Sequence, residues 1–325
     1  MRGQAVPKIL EYLATMTVIF TINFFLPRLM PGDPFLFLSS DPGNVTATFS
    51  QEQIDKYRAY YGLDQPLGTQ FIAYGAKLVQ GDLGYSIYFH DQVINLILAR
   101  LPWTLSIVMA SLVLSSVTGV ALGCISAYSR NRYLDQAVYF VMICFGEIPS
   151  FLVGIFFLFF LAAQTGLFPL AGGISPFVSF DSAGAQIADL VRHAFLPVLT
   201  LSLARMGEFY LLARNSMITV LSKEYMRTAR AKGLSKLRVI FRHALKNALL
   251  PVVTRIFLSL GTVLGGAILV ENVFNYPGIG RLMQMAVMFR DYVLLQGIFL
   301  FVAFTVLIMN LLADTVYKKL DPRVE

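Results

Sequence analysis

Long runs of apolar residues without a charge dominate this chain, and polar residues gather between them. No charged residue occurs from Leu101 to Ser129, and from Gln136 to Phe180 the one charge is Glu147. A helix needs about 20 apolar residues to cross a bilayer core, so each of these runs holds a span. Along the whole chain the pattern predicts six spans: Ile9 to Met30 with Pro27 kinking its end, Trp103 to Tyr128, Leu134 to Ala163, Arg192 to Ala213, Asn247 to Val270, and Asp291 to Val316. Arg205 and Glu208 interrupt the fourth. The expected fold is all-α, a polytopic membrane protein. The first run is too long for the apolar part of a signal peptide and lacks a small-residue cleavage pattern, which predicts a retained first span.

Two connecting segments carry patterns of their own. Ser50-Gln51-Glu52-Gln53 is a capping box opening a short helix to about Tyr61, and Gly62 suits its stop. A second short helix is expected from about Gln70 to Val79, ending before Gly81. Later, Met226, Ala229, Leu234, Leu237, Ile240, Phe241 and Leu245 recur near helical spacing. Gly233 interrupts that run, and Ser235 is placed to cap the helix after it. The expectation is two short helices with a turn at Gly233, lying under the membrane before Pro251 enters the fifth span.

Composition agrees with the pattern. Hydrophobic residues make up 56% of the 325 and charged ones 14%, where a soluble domain carries about 25% charged; mean hydropathy is +0.65. The pI near 9.4 is explained by cytoplasmic loops rather than by nucleic acid, because Lys and Arg concentrate on the inner side of a membrane protein. The segment from Arg214 to Lys246 holds nine Lys or Arg against one Glu, Arg130 and Arg132 flank a short turn, and Lys318-Lys319 stand near the end. The segment from Pro31 to Ala99 holds three Lys or Arg against seven Asp or Glu. Both termini are therefore expected in the cytoplasm and residues 31–99 outside. The expected division is 1–30, tail and first span; 31–99, external helical segment; 100–316, the five-span core with a cytoplasmic segment at 214–246; and 317–325, cytoplasmic tail.

No catalytic constellation is visible. His90, His193 and His243 are the three histidines, dispersed and without metal-ligand spacing. There is no phosphate-binding loop, so no metal, cofactor or ATP hydrolysis is expected in this chain. Cys124 and Cys144 fall in apolar runs, as small packing residues do. Physics alone leaves two uses for the basic segment: contact with anionic headgroups, or docking to a cytoplasmic partner.

The stretch "RTARAKG", Arg227 to Gly233, resembles the loop motif of binding-protein-dependent ABC importer permeases, a Glu-Ala-Ala-x-x-x-Gly pattern followed by Leu-Pro. Arg227, Thr228 and Ala229 stand where Glu-Ala-Ala stands, Gly233 matches the Gly, and Leu250-Pro251 serves as the later Leu-Pro. "RTARAKGL" and "HALKNALLP" look like the dipeptide, oligopeptide and nickel subfamily. So do "MPGDP" (Met30 to Pro34), "YGLDQPL" (Tyr61 to Leu67), "GDLGYSI" (Gly81 to Ile87), "ARLPWTL" (Ala99 to Leu105), "HAFLPVLTLSLA" (His193 to Ala204), "ENVFNYPGIGRLM" (Glu271 to Met283) and "LDPRV" (Leu320 to Val324).

The resemblance implies a permease subunit in the cytoplasmic (inner) membrane of a prokaryote. It pairs with a second, similar permease chain, two cytoplasmic ATPase chains that bind ATP and Mg, and an external solute-binding protein. It also implies a coupling element built from Arg227, Thr228, Ala229, Arg230, Lys232, Gly233, Leu234, Leu250 and Pro251, seated in a groove on an ATPase subunit. The implied cargo is a di- or oligopeptide, with nickel chelates, glutathione and oligosaccharides also in the subfamily's range. Glu147, followed by Pro149 near the middle of the third span, is a path-lining acid for a cationic group, a structural acid bonded to a neighbouring helix, or an acid nearer a membrane interface. Arg205 and Glu208, three apart, either neutralise each other or touch cargo. Asn275, Tyr276, Pro277 and Gly278 form a turn that is either an outer gate or binding-protein contact, or an interfacial aromatic anchor. A rival of a different class is an ion-coupled carrier or channel whose basic loop binds lipid.

Overall fold

The computed structural model describes residues 5–25, 52, 55–56, 59, 64–128, 132–235 and 238–320, the side chains of 5–9, 132, 230, 260–266 and 314–320 excepted. Ten α-helices carry the argument: α1 (Ala5–Phe25), α2 (Leu67–Val79), α3 (Val93–Tyr128), α4 (Arg132–Glu147), α5 (Ser150–Phe157), α6 (Ala183–Leu221), α7 (Glu224–Ala231), α8 (Leu250–Val273), α9 (Ile279–Met288) and α10 (Tyr292–Leu320). The helix expected from the capping box at Ser50 falls almost wholly outside the described residues. Among those described, α3, α6 and Tyr292–Ala313 of α10 are long and apolar enough to cross a membrane, and α4 with α5 reaches that length and apolarity only as a bent pair, a broken span or a re-entrant loop. Leu10–Phe25 and Leu250–Ser259 are shorter apolar helices.

Helix ends differ from the expected ones for local reasons. α3 and α6 run to 36 and 39 residues, straight through Pro102 and Pro197. At 1.5 Å per residue they reach about 54 and 59 Å, well beyond a hydrocarbon layer of about 30 Å. A polar side chain stands ahead of each, bonded to the residues that open it. Asp91 Oδ1 accepts from Gln92 N at 2.6 Å and Asn95 Nδ2 at 3.1 Å, and Ser182 accepts from Ala185 N at 3.2 Å. α2 begins at Leu67, right behind Pro66, and Gly81 after it takes φ 78°.

The expected continuous span from Leu134 to Ala163 is instead two helices bent by 98° at Ile148-Pro149. A residue before proline avoids the helical region, so α4 stops. Pro149, with φ −54° and ψ 130°, then opens α5, its carbonyl accepting from Leu152 N at 3.0 Å. α5 continues as a π-helix over Leu158–Ala163.

The chain groups into two compact units, Met1–Pro102 with Gly278–Leu307, and Trp103–Pro277 with Ile308–Glu325. In the first, α2 lies against the end of α1. Phe71 and Tyr74 meet Phe20 at ring-centroid distances of 5.0 and 5.1 Å. Buried Asn23 donates to Gln296 O at 2.8 Å, and Gln296 donates back to Phe24 O at 3.3 Å, tying α1 to α10. Asp291, fully buried ahead of α10, accepts from Ser86 Oγ at 2.5 Å, Tyr88 N at 3.0 Å and Leu294 N at 3.0 Å. One carboxylate thus caps a helix and pins the 85–92 loop.

In the second unit a core of Ile107, Val108, Ala162, Leu196, Leu201, Ala267, Val270, Phe274 and Tyr276 joins α3, α6, α8 and the π-helix after α5. Two glycines let backbones touch. A Cβ on Gly123 would stand 2.6 Å from Tyr210 O, and one on Gly207 would stand 2.4 Å from Met142 O. α3 and α4 therefore pack against α6 at backbone distance.

Candidate functional site

α7 is eight residues long, too short to persist alone in water, and its sequence has two faces. Met226 and Ala229, three apart, are buried in a cluster with Met217 of α6 and with Val239, Ala244 and Ala248. Tyr225, Arg227 and Thr228 are exposed on the other side. Arg227 Nη1 reaches Glu224 Oε1 at 2.9 Å in an exposed pair, which contributes little in water. The helix ends in a turn at Lys232-Gly233, both exposed, with Gly233 at φ 68°. That left-handed backbone suits glycine.

Beyond this turn the second helix that the spacing predicts is present over 238–248, but mostly in a wider pitch than the α-helix. Residues 236–237, with the expected apolar Leu237, lie outside the described residues. Val239–Leu245 then forms a π-helix. Its wider turn, with bonds from i to i+5, changes which residues face in. The buried positions are Val239, Ala244 and Ala248, while Phe241 is 64% exposed. Val239 N bonds to the backbone carbonyl of Ser235 at 3.0 Å.

Of the residues expected to act in coupling, Arg227, Thr228, Ala229 and Arg230 share α7, and Lys232, Gly233 and Leu234 come directly after it. Ala229 faces the chain's own core, and Leu234 packs partly against the same cluster. Leu250 and Pro251 are in the first turn of α8. They belong to the same assembly through Ala248, which precedes them and shares the cluster with Met226. Asn247 Nδ2 donates to Tyr225 OH at 3.3 Å, a second tie between these elements.

The charged residues expected in the spans are arranged differently from their spacing in sequence. Glu208 does not take Arg205 as its ion-pair partner. Its carboxylate contacts the guanidinium of Arg255 on α8, and Arg205 interacts with both by charge. Arg205 and Glu208 share one helix face, but the carboxylate's ion-pair partner comes from the adjacent helix. Arg255, a lone charge in the apolar run Val252 to Leu260, is the signal in the sequence for such a partner. Glu147 is not in the middle of a straight span. It is the last residue of α4, exposed, at the corner of the 98° bend.

Tyr276 is buried, edge-on to Trp103 at 5.7 Å, with its hydroxyl 3.4 Å from Ser106 Oγ. Burial pushes the Tyr276 phenol above its ordinary value. Asn275 before it is exposed at φ 48°, and Pro277 after it is half-buried. Gly278 caps α9. Glu271, fully buried one turn earlier, accepts from Thr104 Oγ1 at 2.7 Å. The Tyr276 side chain is thus part of the core, and Asn275 is the exposed residue of the turn.

The family described as the binding-protein-dependent transport system inner membrane component matches residues 119–325. The chain belongs to that family. Its relatives include a putative peptide permease protein of Brucella suis biovar 1 (strain 1330), 37% identical over 319 residues that span 98% of this chain and 97% of that one. The glutathione transport system permease protein of Escherichia coli (strain K12) is 33% identical over 324 residues, 100% of this chain and 99% of the other. Two solved structures share the fold. An inward-facing form of the MetNI methionine ABC transporter has a TM-score of 0.57 at 15% identity, covering 70% of this chain and 96% of that one. An amino acid ABC transporter has 0.53 at 11%, covering 70% and 94%. The protein is an ABC importer permease, an all-α membrane component.

Proposed function

We propose that this permease forms one half of the translocation pathway of an ATP-driven importer of di- or oligopeptides, and that α7 with the Gly233 turn is its handle for a cytoplasmic ATPase subunit. The observation that carries this reading is the division of α7. Met226 and Ala229 root it in the chain, while Tyr225, Arg227, Thr228 and Lys232 face away from it. A short helix so rooted transmits a push rather than folding under it. Its outward cations suit acidic groups on a partner.

In this reading ATP and Mg are bound by two partner ATPase chains, a second permease completes the pathway, and an external solute-binding protein delivers cargo. The segment after α6 and both termini lie on the cytoplasmic side of a prokaryotic inner membrane. Peptide is favoured as cargo because relatives are named peptide and glutathione permeases, glutathione being itself a tripeptide. Glu147, at an exposed corner, is a path residue that would meet the charged amino group of such a cargo. Asn275 is the outward contact of the 275–278 turn.

The test is to co-express the chain with its genomic neighbours and purify it. An ATPase is expected to co-elute, and vesicles holding the complex and its binding protein are expected to take up labelled dipeptide with ATP. A chain that elutes without an ATPase, or that moves solute unaided, ends the reading.

A further inference from the structure

Arg214 opens the basic segment in sequence, yet it is turned inward. Its Nε lies 2.9 Å from Asp135 Oδ1 and its Nη2 2.6 Å from Asp135 Oδ2, a two-pronged pair with the side chains 20% and 21% exposed. Ser126 Oγ donates to Asp135, and the buried Tyr210 hydroxyl stands 2.8 Å from Ser126 Oγ. The Arg214 guanidinium also lies over the Tyr139 ring, 5.5 Å from its centroid. Three helices meet here: Ser126 comes from the last turn of α3, Asp135 and Tyr139 from the start of α4, and Tyr210 and Arg214 from α6.

The placement of this network gives it a mechanical meaning. On one side, Met217 lies three residues past Arg214 and is fully buried against Met226 of α7, and Ala127, next to Ser126, packs on the same cluster. On the other side, α4 touches α6 again where Met142 O faces Gly207. The two contacts are seven residues apart on each helix, about 10 Å along antiparallel axes, so α4 cannot pivot about either one alone. α4 then ends at the corner that carries Glu147. Bidentate Arg–carboxylate pairs fix orientation as well as distance.

We propose that the Asp135–Arg214 pair, with Ser126, is a positioning latch that makes α4 and its bent continuation move as one body with α6 and α7. Displacement of α7 then reaches the corner at Glu147 through α4. The proposal rests on the reading of α7 as the ATPase handle.

The experiment uses the complete complex with its binding protein in vesicles, reading ATP hydrolysis and dipeptide uptake per assembled complex. Asp135→Asn is expected to leave hydrolysis near the parent rate while uptake per ATP falls about tenfold, within the usual range of coupling between sites. Ser126→Ala, which spares the ion pair, is expected to fall part-way. The exchange Asp135→Arg with Arg214→Asp is expected to recover uptake over either single change. Where Asp135→Asn lowers assembly, Ser126→Ala and Arg214→Lys decide. Unchanged uptake per ATP in these variants overturns the latch, as does a fall of uptake and hydrolysis in equal proportion, the mark of a merely structural pair. An ATPase that fails to co-elute with the unaltered chain overturns instead the reading of α7.

Discussion

Gly233 sits at φ 68°, and among the described residues, its chain neighbours apart, nothing lies within 4 Å of where its Cβ would stand. Substitution there is a matter of backbone rather than of room. Asn tolerates the left-handed region, whereas a β-branched residue meets its full cost of about 1–2 kcal/mol. Gly233→Asn is expected to keep uptake per ATP close to the parent and Gly233→Val to uncouple hydrolysis from uptake. Equal behaviour of the two variants would mean that the turn's conformation is irrelevant. Tyr276 makes a second prediction. Its folded phenol holds its proton more tightly than an exposed one, so its stabilisation is full below about pH 10 and is lost as pH rises past that value toward the raised one. Tyr276→Phe is expected to flatten the fall in melting temperature as pH rises past about 10, monitored by circular dichroism in detergent. At this scale the sequence exposed residue types but not partners. Glu208 lies within a helical turn of Arg205 and pairs with Arg255, 47 residues on, because helix packing chooses the approach.

α7 persists because of what it rests on. Met226 is fully buried, and its truncation to Ala is expected to cost about 2–5 kcal/mol of local stability. For a helix of eight residues that is enough to release it, and faster proteolytic cleavage within 222–235 checks this. Asp291→Ala removes three acceptor contacts at once, leaving Tyr88 N and Leu294 N without this partner and Ser86 Oγ with only its bond from Phe89 N, at about 1–3 kcal/mol for a buried group left unsatisfied. A drop in the melting temperature of the purified permease would report it. The helices themselves were legible from apolar runs and from Gly and Pro. Their lengths were not, since α3 and α6 begin at Val93 and Ala183, well ahead of the expected spans. The π-helix at 239–245 was also hidden, because a change of helical pitch shows only in which residues turn inward: Val239 and Ala244 rather than Phe241.

On the scale of the molecule, membership of the importer permease family sets the expectation that the chain is one part of a machine. Vesicles holding this chain alone are expected to show no ATP-dependent flux of labelled dipeptide, and flux is expected to appear only with ATPase, second permease and binding protein together. Flux from the isolated chain under an ion gradient would instead favour a carrier. The rival use of the basic segment, contact with anionic lipid, predicts that Arg227 and Lys232 changed to Gln weaken vesicle binding. The ATPase handle predicts weaker ATPase co-elution with membrane insertion unaltered.

The order of apolar runs, the prolines that punctuate them and the quoted motifs determined the class of this protein and where its basic segment lies in the chain. These are local properties, since burying apolar surface and the geometry of Pro and Gly act on near neighbours. Tertiary structure alone decided the 98° corner at Glu147, the pairing of Glu208 with Arg255 and the inward turn of Arg214 onto Asp135. Each depends on which helix approaches which, and a carboxylate takes its cation from wherever close packing at residues such as Gly207 and Gly123 brings one within reach.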